Sequence, residues 1–302
     1  MATRPRILVT GATGKTGGAT AAALLRRTDV QTRVLVRSDD HRARALRDAG
    51  AEVIVGSMHD IRDMHRAMSD VQRAYFVAPI TPRSLDHAMN FAIAAGEARL
   101  EHVVALGQWL SSASHGSALT RRTWLIDRLM TWIPGVDHTV INVGWFADNF
   151  MPLMGPIAQF GMLPMGLGDG KSPPISSEDI GAVAAGVLAD PAPHAGRVLQ
   201  PTGPRQLSPQ QIADAFADVL GRPVRYVDAE PRMLAKSLRV NMPDPFTQVQ
   251  VLRYLRDYRQ GAFAVGGPTN VVEEVTGRPA EDFTSIVRRH VASDPLARRS
   301  VG

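Results

Sequence analysis

The chain of 302 residues contains no cysteine, which excludes a disulfide framework and thiolate chemistry. No apolar run reaches the roughly 20 residues that a membrane-spanning helix needs. Tyrosine and lysine are both missing from Arg99 to Gly144; the four tyrosines, Tyr75, Tyr226, Tyr254 and Tyr258, all lie elsewhere. Lysine is scarce throughout, and arginine carries most of the positive charge. The net charge of +5 and isoelectric point near 10.0 do not amount to a nucleic-acid footprint, which needs clustering. The basic pairs Arg26-Arg27, Arg121-Arg122, Arg288-Arg289 and Arg298-Arg299 are scattered and read as solvated faces. His59 and His65 stand six apart, off the i, i+4 spacing that puts two side chains on one helical face, so no metal site is expected. Met1 to Arg6 runs straight into an apolar strand and leaves no room for a signal peptide. Together these features give the expectation of a cytoplasmic protein that binds no membrane and no nucleic acid.

What is present is a globular composition, 44% hydrophobic and 21% charged, with one dominant motif. Ile7-Leu8-Val9 reads as a buried strand. It breaks into Gly11, Gly14 and Gly17, and an Ala/Leu-rich segment from Ala19 to Arg27 reads as a helix. Strand, glycine turn and helix in that order make a phosphate-binding device. The glycines let the backbone approach a pyrophosphate, and the helix start offers free N–H groups and a positive dipole end. Gly14-Lys15-Thr16 carries the letters of a nucleoside-triphosphatase loop, but that loop needs a glycine five positions earlier. That position is Val9, inside the strand, so the triphosphatase reading fails. A tight turn without ligand is the plain alternative.

The second expected strand, Gln31 to Arg37, ends about 20 residues beyond Gly17, where a dinucleotide fold meets the adenosine ribose. An acid there would accept the 2′-hydroxyl of NAD. The residue is Arg37, whose planar fork suits a 2′-phosphate, so NADP(H) is preferred over NAD(H). The alternatives are a solvated Arg37 and a ribose held by Asp39 or Asp40. Lys15 in the phosphate turn adds positive charge, or is a plain loop lysine. Further strands are read at Ala51–Val55, Ala74–Val77, His102–Leu106 and Thr139–Val143, with a helix over Leu85–Ala98. This alternation specifies an α/β fold, a doubly wound parallel Rossmann sheet, with cofactors held outside the C-terminal strand ends. The expected cofactor-binding set is Gly11, Thr13, Gly14, Lys15, Thr16, Gly17, Arg37, Ser57, Met58, Ala78, Pro79, Leu106 and Gly107. Asp60 is expected to cap the helix after the third strand.

A smaller, mainly helical C-terminal lobe is expected to follow. The division is 1–150 for the nucleotide domain, rejoined by 180–203, with 151–179 and 204–302 in the smaller lobe. Met151 to Gly168 is apolar and broken by Gly and Pro, and reads as a loop over a cleft or a packed linker. Glu178-Asp179 opens a helix over Ile180–Leu188, and Arg197–Gln200 reads as a returning seventh strand. Pro209–Leu220 is a helix with Ser208 as N-cap and Gly221 at its end. A tail is expected from Ser293.

The sequence resembles the NmrA-like branch of the atypical short-chain dehydrogenase/reductase superfamily. The resemblance is carried by Val9-Thr-Gly-Ala-Thr-Gly-Lys-Thr-Gly17, Val34-Leu-Val-Arg37, Gly56-Ser-Met-His-Asp60 and Val143-Gly-Trp-Phe-Ala-Asp-Asn-Phe150. Ser177-Glu-Asp-Ile180, Thr202-Gly-Pro204, Leu220-Gly-Arg-Pro223 and Val275-Thr-Gly-Arg-Pro279 extend it over nearly the whole chain. It implies a Rossmann fold and either a flavin-free, metal-free NADP(H)-dependent reductase of quinones, azo compounds, enones or imines, or a non-catalytic NADP(H) sensor that binds a protein partner. It also places the nicotinamide end near Trp145 and Phe146. Many short-chain dehydrogenases move a proton through a Tyr-x-x-x-Lys pair after the fifth strand, and that pair is absent here. His115 is the best polar candidate in the region, with a surface-loop histidine as the plainer reading. Gln108 could orient a carbonyl but cannot give a proton. Gln108, Trp109, Trp145 and Phe146 are the candidate walls of a pocket for a small substrate, with core packing as the alternative for the tryptophans.

Overall fold

The computed structural model describes residues 4–241 and 244–293. Met1 to Thr3, the pair Arg298-Arg299 and the expected tail beyond Ser293 lie outside the described residues. In chain order the elements are β1 (Arg6–Val9), α1 (Lys15–Leu25), β2 (Gln31–Val36), α2 (His41–Asp48), β3 (Glu52–Val55), α3 (Ile61–Met68), β4 (Arg73–Phe76), α4 (Ser84–Glu97), β5 (His102–Gln108), α5 (Ala118–Thr131) and β6 (Asp137–Val143). Two single 3-10 turns, Ala147–Asn149 and Met151–Leu153, lead into α6 (Met154–Phe160), β7 (Met162–Met165), α7 (Ser177–Ala189), β8 (Val198–Leu199), α8 (Pro209–Leu220), β9 (Arg225–Asp228), α9 (Pro231–Asn241), α10 (Pro245–Arg259), α11 (Val271–Thr276) and α12 (Phe283–Ser293).

The chain divides into two compact units. The first comprises Met1–Val143, Ser177–Gln200 and Glu274–Gly277. Its seven strands run in the order β3-β2-β1-β4-β5-β6-β8, and every pairing is parallel. A parallel sheet is covered on both faces, so its strands are nearly continuous apolar runs. Leu8, Leu35, Phe76, Val103 and Ala105 pack on one face with Met64 and Met68 of α3, Phe91 and Ala95 of α4 and Ile126 and Met130 of α5. Helices α1 and α7 pack on each other, with Ala21, Leu24, Ile180, Val183, Val187 and Leu188 all buried. Arg73 at the start of β4 donates to the carbonyls of Leu188 and Ala189, both at 2.8 Å, and so satisfies the last turn of α7. This is the Rossmann-like α/β architecture expected from the alternation of strands and helices.

The second unit comprises Gly144–Ser176, Pro201–Glu273 and Arg278–Gly302. Its core elements are α8 packed on α12 and a two-stranded parallel sheet, β7 with β9. The expected domain boundaries differ from these crossings by a few residues, and the short return at 274–277 has no counterpart in the sequence reading.

Several local expectations need correction. Helix α1 begins at Lys15, not Ala19, and ends at Leu25. Gly17 and Gly18 are poor helix formers, yet they sit in the first turns because the backbone there must approach its neighbour closely. The stretch 151–168 is not a loop: it contains α6 and β7. Gly161 between them takes φ 61° and closes α6 as a left-handed cap, so a glycine that reads as a breaker is a helix terminator. Helix α8 has the expected bounds. Ser208 and Gln211 form a reciprocal capping box, and Gly221 takes the left-handed C-cap.

Candidate nucleotide and reaction site

At the end of β1 the chain turns sharply. Gly11 has φ +64°, and a Cβ there would stand 2.6 Å from Val77 Cγ1. The Gly14 N–H donates to Gly11 O at 2.8 Å, and the Gly18 N–H to Gly14 O at 2.9 Å. A Cβ on Gly17 would meet Gly11 O at 2.3 Å and Thr10 O at 2.7 Å. Gly14 is different: its φ is −96°, and an added Cβ would meet only Gly11 O, at 3.2 Å. Thr13, Gly14 and Lys15 are exposed, while Thr16 and Gly17 are buried.

Helices α2, α3, α5, α8 and α10 are capped by Asp40, Asp60, Ser117, Ser208 and Asp244. Helix α1 opens on Gly14 with no capping side chain and no acid in its first turn. A helix start of this kind complements an external anion.

Two residues that the sequence reading passed over hold this turn. Thr10 donates to Tyr75 O from both its N–H, at 3.1 Å, and its hydroxyl, at 3.0 Å; the hydroxyl accepts from the Val77 N–H at 3.3 Å. This stitches the C-terminal ends of β1 and β4 together. Tyr75 is fully buried, and burial pushes its phenol up, opposed by the nearby Thr16 and Thr20 hydroxyls. The available signal was a hydroxyl residue ending an apolar run.

At the end of β2, Arg37 is exposed and makes no ion pair among the described residues. The two acids named as the alternative holders of a ribose are engaged. Asp39 pairs with Arg47 at 3.2 Å, and Asp40 pairs with Arg42 at 2.6 Å while capping α2. The Arg42 guanidinium holds the Asp40 carboxyl well below the usual carboxylate range. The segment after β3 is pinned by Ser57 N–H donating to Asp63 at 2.8 Å and by Asn90 donating to Met58 O at 2.9 Å. Asp60 caps α3 through the Arg62 N–H. His59 and His87 stack with ring centroids 3.7 Å apart, and His87 is pushed down to about 4, first by burial and then by the charge of His59. Ala78 and Pro79 are half-buried after β4.

The uncapped α1, the tight turn that Gly11 and Gly17 permit and the unpaired Arg37 together fit a dinucleotide carrying an extra phosphate.

β5 is longer than expected and carries Leu106, Gly107 and Gln108 within the strand, where Gly107 faces Asn142 and Gln108 faces Val143 on β6. Trp109 donates its N–H to Val143 O at 2.8 Å. Gly107 is closely covered: a Cβ would meet Asn142 Oδ1 at 2.1 Å and Asp127 Oδ1 at 3.1 Å. Asp127, on α5, is only 6% exposed; its Oδ2 accepts from the Ser111 hydroxyl at 2.8 Å. Burial pushes its carboxyl up to about 6, with Ser111 and Arg128 opposing. Sequence reasoning did not select Asp127, because an aspartate among Arg121, Arg122 and Arg128 reads as a solvated helix face. His115 is half-buried, and its Nδ1 accepts the Ser117 N–H at 3.0 Å. That bond occupies one ring nitrogen in the turn that leads into α5.

In the second unit Trp145 is 4% exposed and stacks on Tyr254 at 5.4 Å. It meets Tyr258 edge-on at 4.7 Å and Phe263 at 5.7 Å. Its indole Nε1 is buried without a partner. Phe146 is half-buried and bridges to Ile175.

Among the described residues no group of His, Asp and Glu side chains is placed to hold a metal ion, and no helix is long and apolar enough to cross a membrane. An open depression lined by His65, Asp70, Gln72 and Glu97 among others lies by the N-terminal end of β4, away from the glycine turn.

The NmrA-like family's model matches residues 3–116. An NAD(P)H azoreductase from Xenophilus azovorans is 29% identical over 292 residues, which cover 95% of this chain and 98% of that protein. The NADPH-dependent quinone oxidoreductase of Escherichia coli, solved with NADPH, has a TM-score of 0.81 at 20% identity over 94% of this chain and 99% of its own. The triphenylmethane reductase of a Citrobacter species, solved with NADP(H), has a TM-score of 0.81 at 19% identity, also over 94% and 99%. These structures share the fold. The match to the NmrA-like family's model thus covers β1 to β5 of the sheet and the exit loop of β5.

Proposed function

We propose that the protein is an NADPH-dependent reductase that passes hydride directly, without flavin, to a small conjugated or carbonyl-like acceptor: a quinone, azo compound, enone or imine. The observation that carries this reading is the uncapped glycine turn opening α1, beside a strand followed directly by the unpaired Arg37. The activities of the similar azoreductase and quinone oxidoreductase support it. The dihydronicotinamide, when bound, supplies the hydride. The chain's own residues bind and orient. Backbone N–H groups from Gly14 to Gly17 would hold the pyrophosphate, with Lys15 adding charge, and Arg37 would take the 2′-phosphate by a charge-assisted fork. Ser57, Met58, Ala78 and Pro79 would flank the adenine side, and Leu106 and Gly107 the nicotinamide side. Gln108 would orient a substrate carbonyl. Hydride transfer needs the two reacting atoms held about 3–3.5 Å apart.

The lack of Tyr and Lys on α5 favours a second reading, a non-catalytic NADP(H) sensor that binds another protein. One experiment separates the two. NADPH deuterated stereospecifically at C4 is incubated with the protein and a panel of quinones, azo dyes, enones and imines. Label appearing in product supports the reductase. Tight NADPH binding with no turnover across the panel supports the sensor.

A further inference from the structure

The reductase reading leaves the proton unassigned. The strongest unexplained feature of the first unit lies where that proton is needed. Around Gly107, at the C-terminal ends of β5 and β6, two buried acceptor oxygens have no hydrogen-bond donor: Asp127 Oδ1 and Asn142 Oδ1. Both crowd the space that a side chain at position 107 would fill, at 3.1 and 2.1 Å from its Cβ. A pair of buried oxygens without donors is costly if both are pure acceptors. Burial disfavours the charged carboxylate there and so favours the protonated acid, which is a donor. The other carboxyl oxygen, Oδ2, lies 2.8 Å from the Ser111 hydroxyl, and Ser111, unlike Asp127, is partly exposed. The groups that act on Asp127 are Ser111, through its hydroxyl, and Arg128 on its own helix. Arg128 is itself drawn outward over the Trp124 ring, at 5.9 Å.

We propose that Asp127 holds a proton in the resting protein and delivers it through the Ser111 hydroxyl to the reduced substrate, in place of a Tyr/Lys pair. The proposal rests on the reductase reading. The balance is simple. Hydride from the dihydronicotinamide adds to one atom of the acceptor double bond, leaving the electron pair on the other. The Ser111 hydroxyl gives its proton to that atom and accepts the proton of Asp127 from Oδ2, the carboxyl oxygen it faces at 2.8 Å. Asp127 is left as a carboxylate, which is reprotonated from water through the same hydroxyl. One hydride and one proton are consumed per double bond reduced. Asp127 acts through Ser111 and is a positioning and storage group; Ser111 is the group that touches substrate. The acid need not be strong, because proton transfer is most effective when the donor's pKa lies near the working pH. Burial supplies that match, holding Asp127 up to about 6.

The test has two readouts. The first needs no turnover: the carboxyl 13C shifts of the full chain, labelled at aspartate, are followed against pH in the wild type and in Asp127→Asn. One resonance titrating near pH 6 and missing from the variant is expected. Wild-type aspartates all titrating in the ordinary carboxylate range would overturn the proposal while leaving the reductase reading intact. The second is the pH profile of kcat with whichever acceptor of the panel is turned over. Wild-type kcat is expected to fall as pH rises through about 6. Asp127→Asn and Ser111→Ala should lose this dependence and drop kcat at pH 6 by on the order of a hundredfold, with NADPH affinity unchanged. Asp127→Glu should restore part of the rate. Wild-type rate and profile in Asp127→Asn would sink the assignment, and a purely structural role would lower the melting temperature without moving the profile. No turnover by any acceptor would remove the reductase reading and this proposal with it.

Discussion

The Cβ that Gly17 lacks would stand 2.3 Å from the backbone oxygen of Gly11, a distance that real Cβ atoms do not reach. The obstacle is backbone, which cannot swing aside as a flexible side chain would. Gly17→Ala is therefore expected to destabilise the first unit by about 1–3 kcal/mol through overpacking, read by urea denaturation without cofactor. At Gly14 the same oxygen stands farther off, 3.2 Å from an added Cβ, so a small shift accommodates a side chain. Gly14→Val should keep most of its stability and lose NADPH binding, because its branched side chain projects where the pyrophosphate is expected. A stable Gly14→Val protein that binds NADPH normally would place the phosphate elsewhere.

Arg37 and its acidic neighbours set the second expectation. With Asp39 and Asp40 held by Arg47 and Arg42, Arg37 is the charge available to a 2′-phosphate. A charge-assisted hydrogen bond of about 1.5–3 kcal/mol corresponds to roughly tenfold to a hundredfold in affinity. Wild type should bind NADPH more tightly than NADH by that factor in fluorescence titrations. Arg37→Asp should erase the preference by weakening NADPH alone. Equal binding of both cofactors by the wild type would refute the role given to Arg37.

Trp145 carries a different kind of prediction, since its ring is buried among Phe150, Tyr254, Tyr258 and Phe263. Trp145→Ala should cost about 3–5 kcal/mol of stability in the second unit, as large-to-small changes in a core do. Trp145→Phe should cost much less, because it keeps an aromatic ring and removes the unpartnered indole N–H, a group whose burial is itself unfavourable. Equal melting temperatures for Trp145→Ala and wild type would show that the ring packs nothing.

The pattern of legible and illegible features follows from what each depends on. The Rossmann sheet was readable because its strands are local apolar runs, and α8 because Ser208, Gln211 and Gly221 mark both ends within the helix's own sequence. The place of Arg37 at the end of the second strand was readable from spacing alone. β7 was not: Pro164 sits in it and Gly161 precedes it, and only pairing with β9, some 60 residues away in the register Met162 to Arg225, makes it a strand. Asp127 was not readable either, because its environment is made by Gly107, Ser111 and Asn142, which only the folded sheet brings around it. The Thr10 contacts to β4 were hidden for the same reason.

The pH dependence of stability follows from two buried groups whose shifts oppose each other. Burial pushes Asp127 up to about 6 from 3.8, so the folded state binds a proton more tightly there than the unfolded chain. Its stabilising contribution is complete below about pH 3.8 and is lost as pH rises through about 6. His102 lies at 1% exposure, its Nε2 placed 2.9 Å from Thr139 Oγ1, which donates onward to His194 O at 2.7 Å. Burial pushes His102 down to about 4 from 6.5. Its contribution is complete above about pH 6.5 and is lost as pH falls toward 4, because the unfolded chain takes up the proton first. Removing one group should expose the slope of the other. Asp127→Asn lacks the carboxyl, so its stability relative to wild type should improve steadily from pH 4.5 to 7.5. The gain approaches roughly 2–3 kcal/mol, the equivalent of a two-unit shift, less whatever the lost Ser111 contact costs. Denaturant midpoints of the two proteins across that range are the measurement. A difference that stays constant with pH would show that Asp127 titrates alike in the folded and unfolded states.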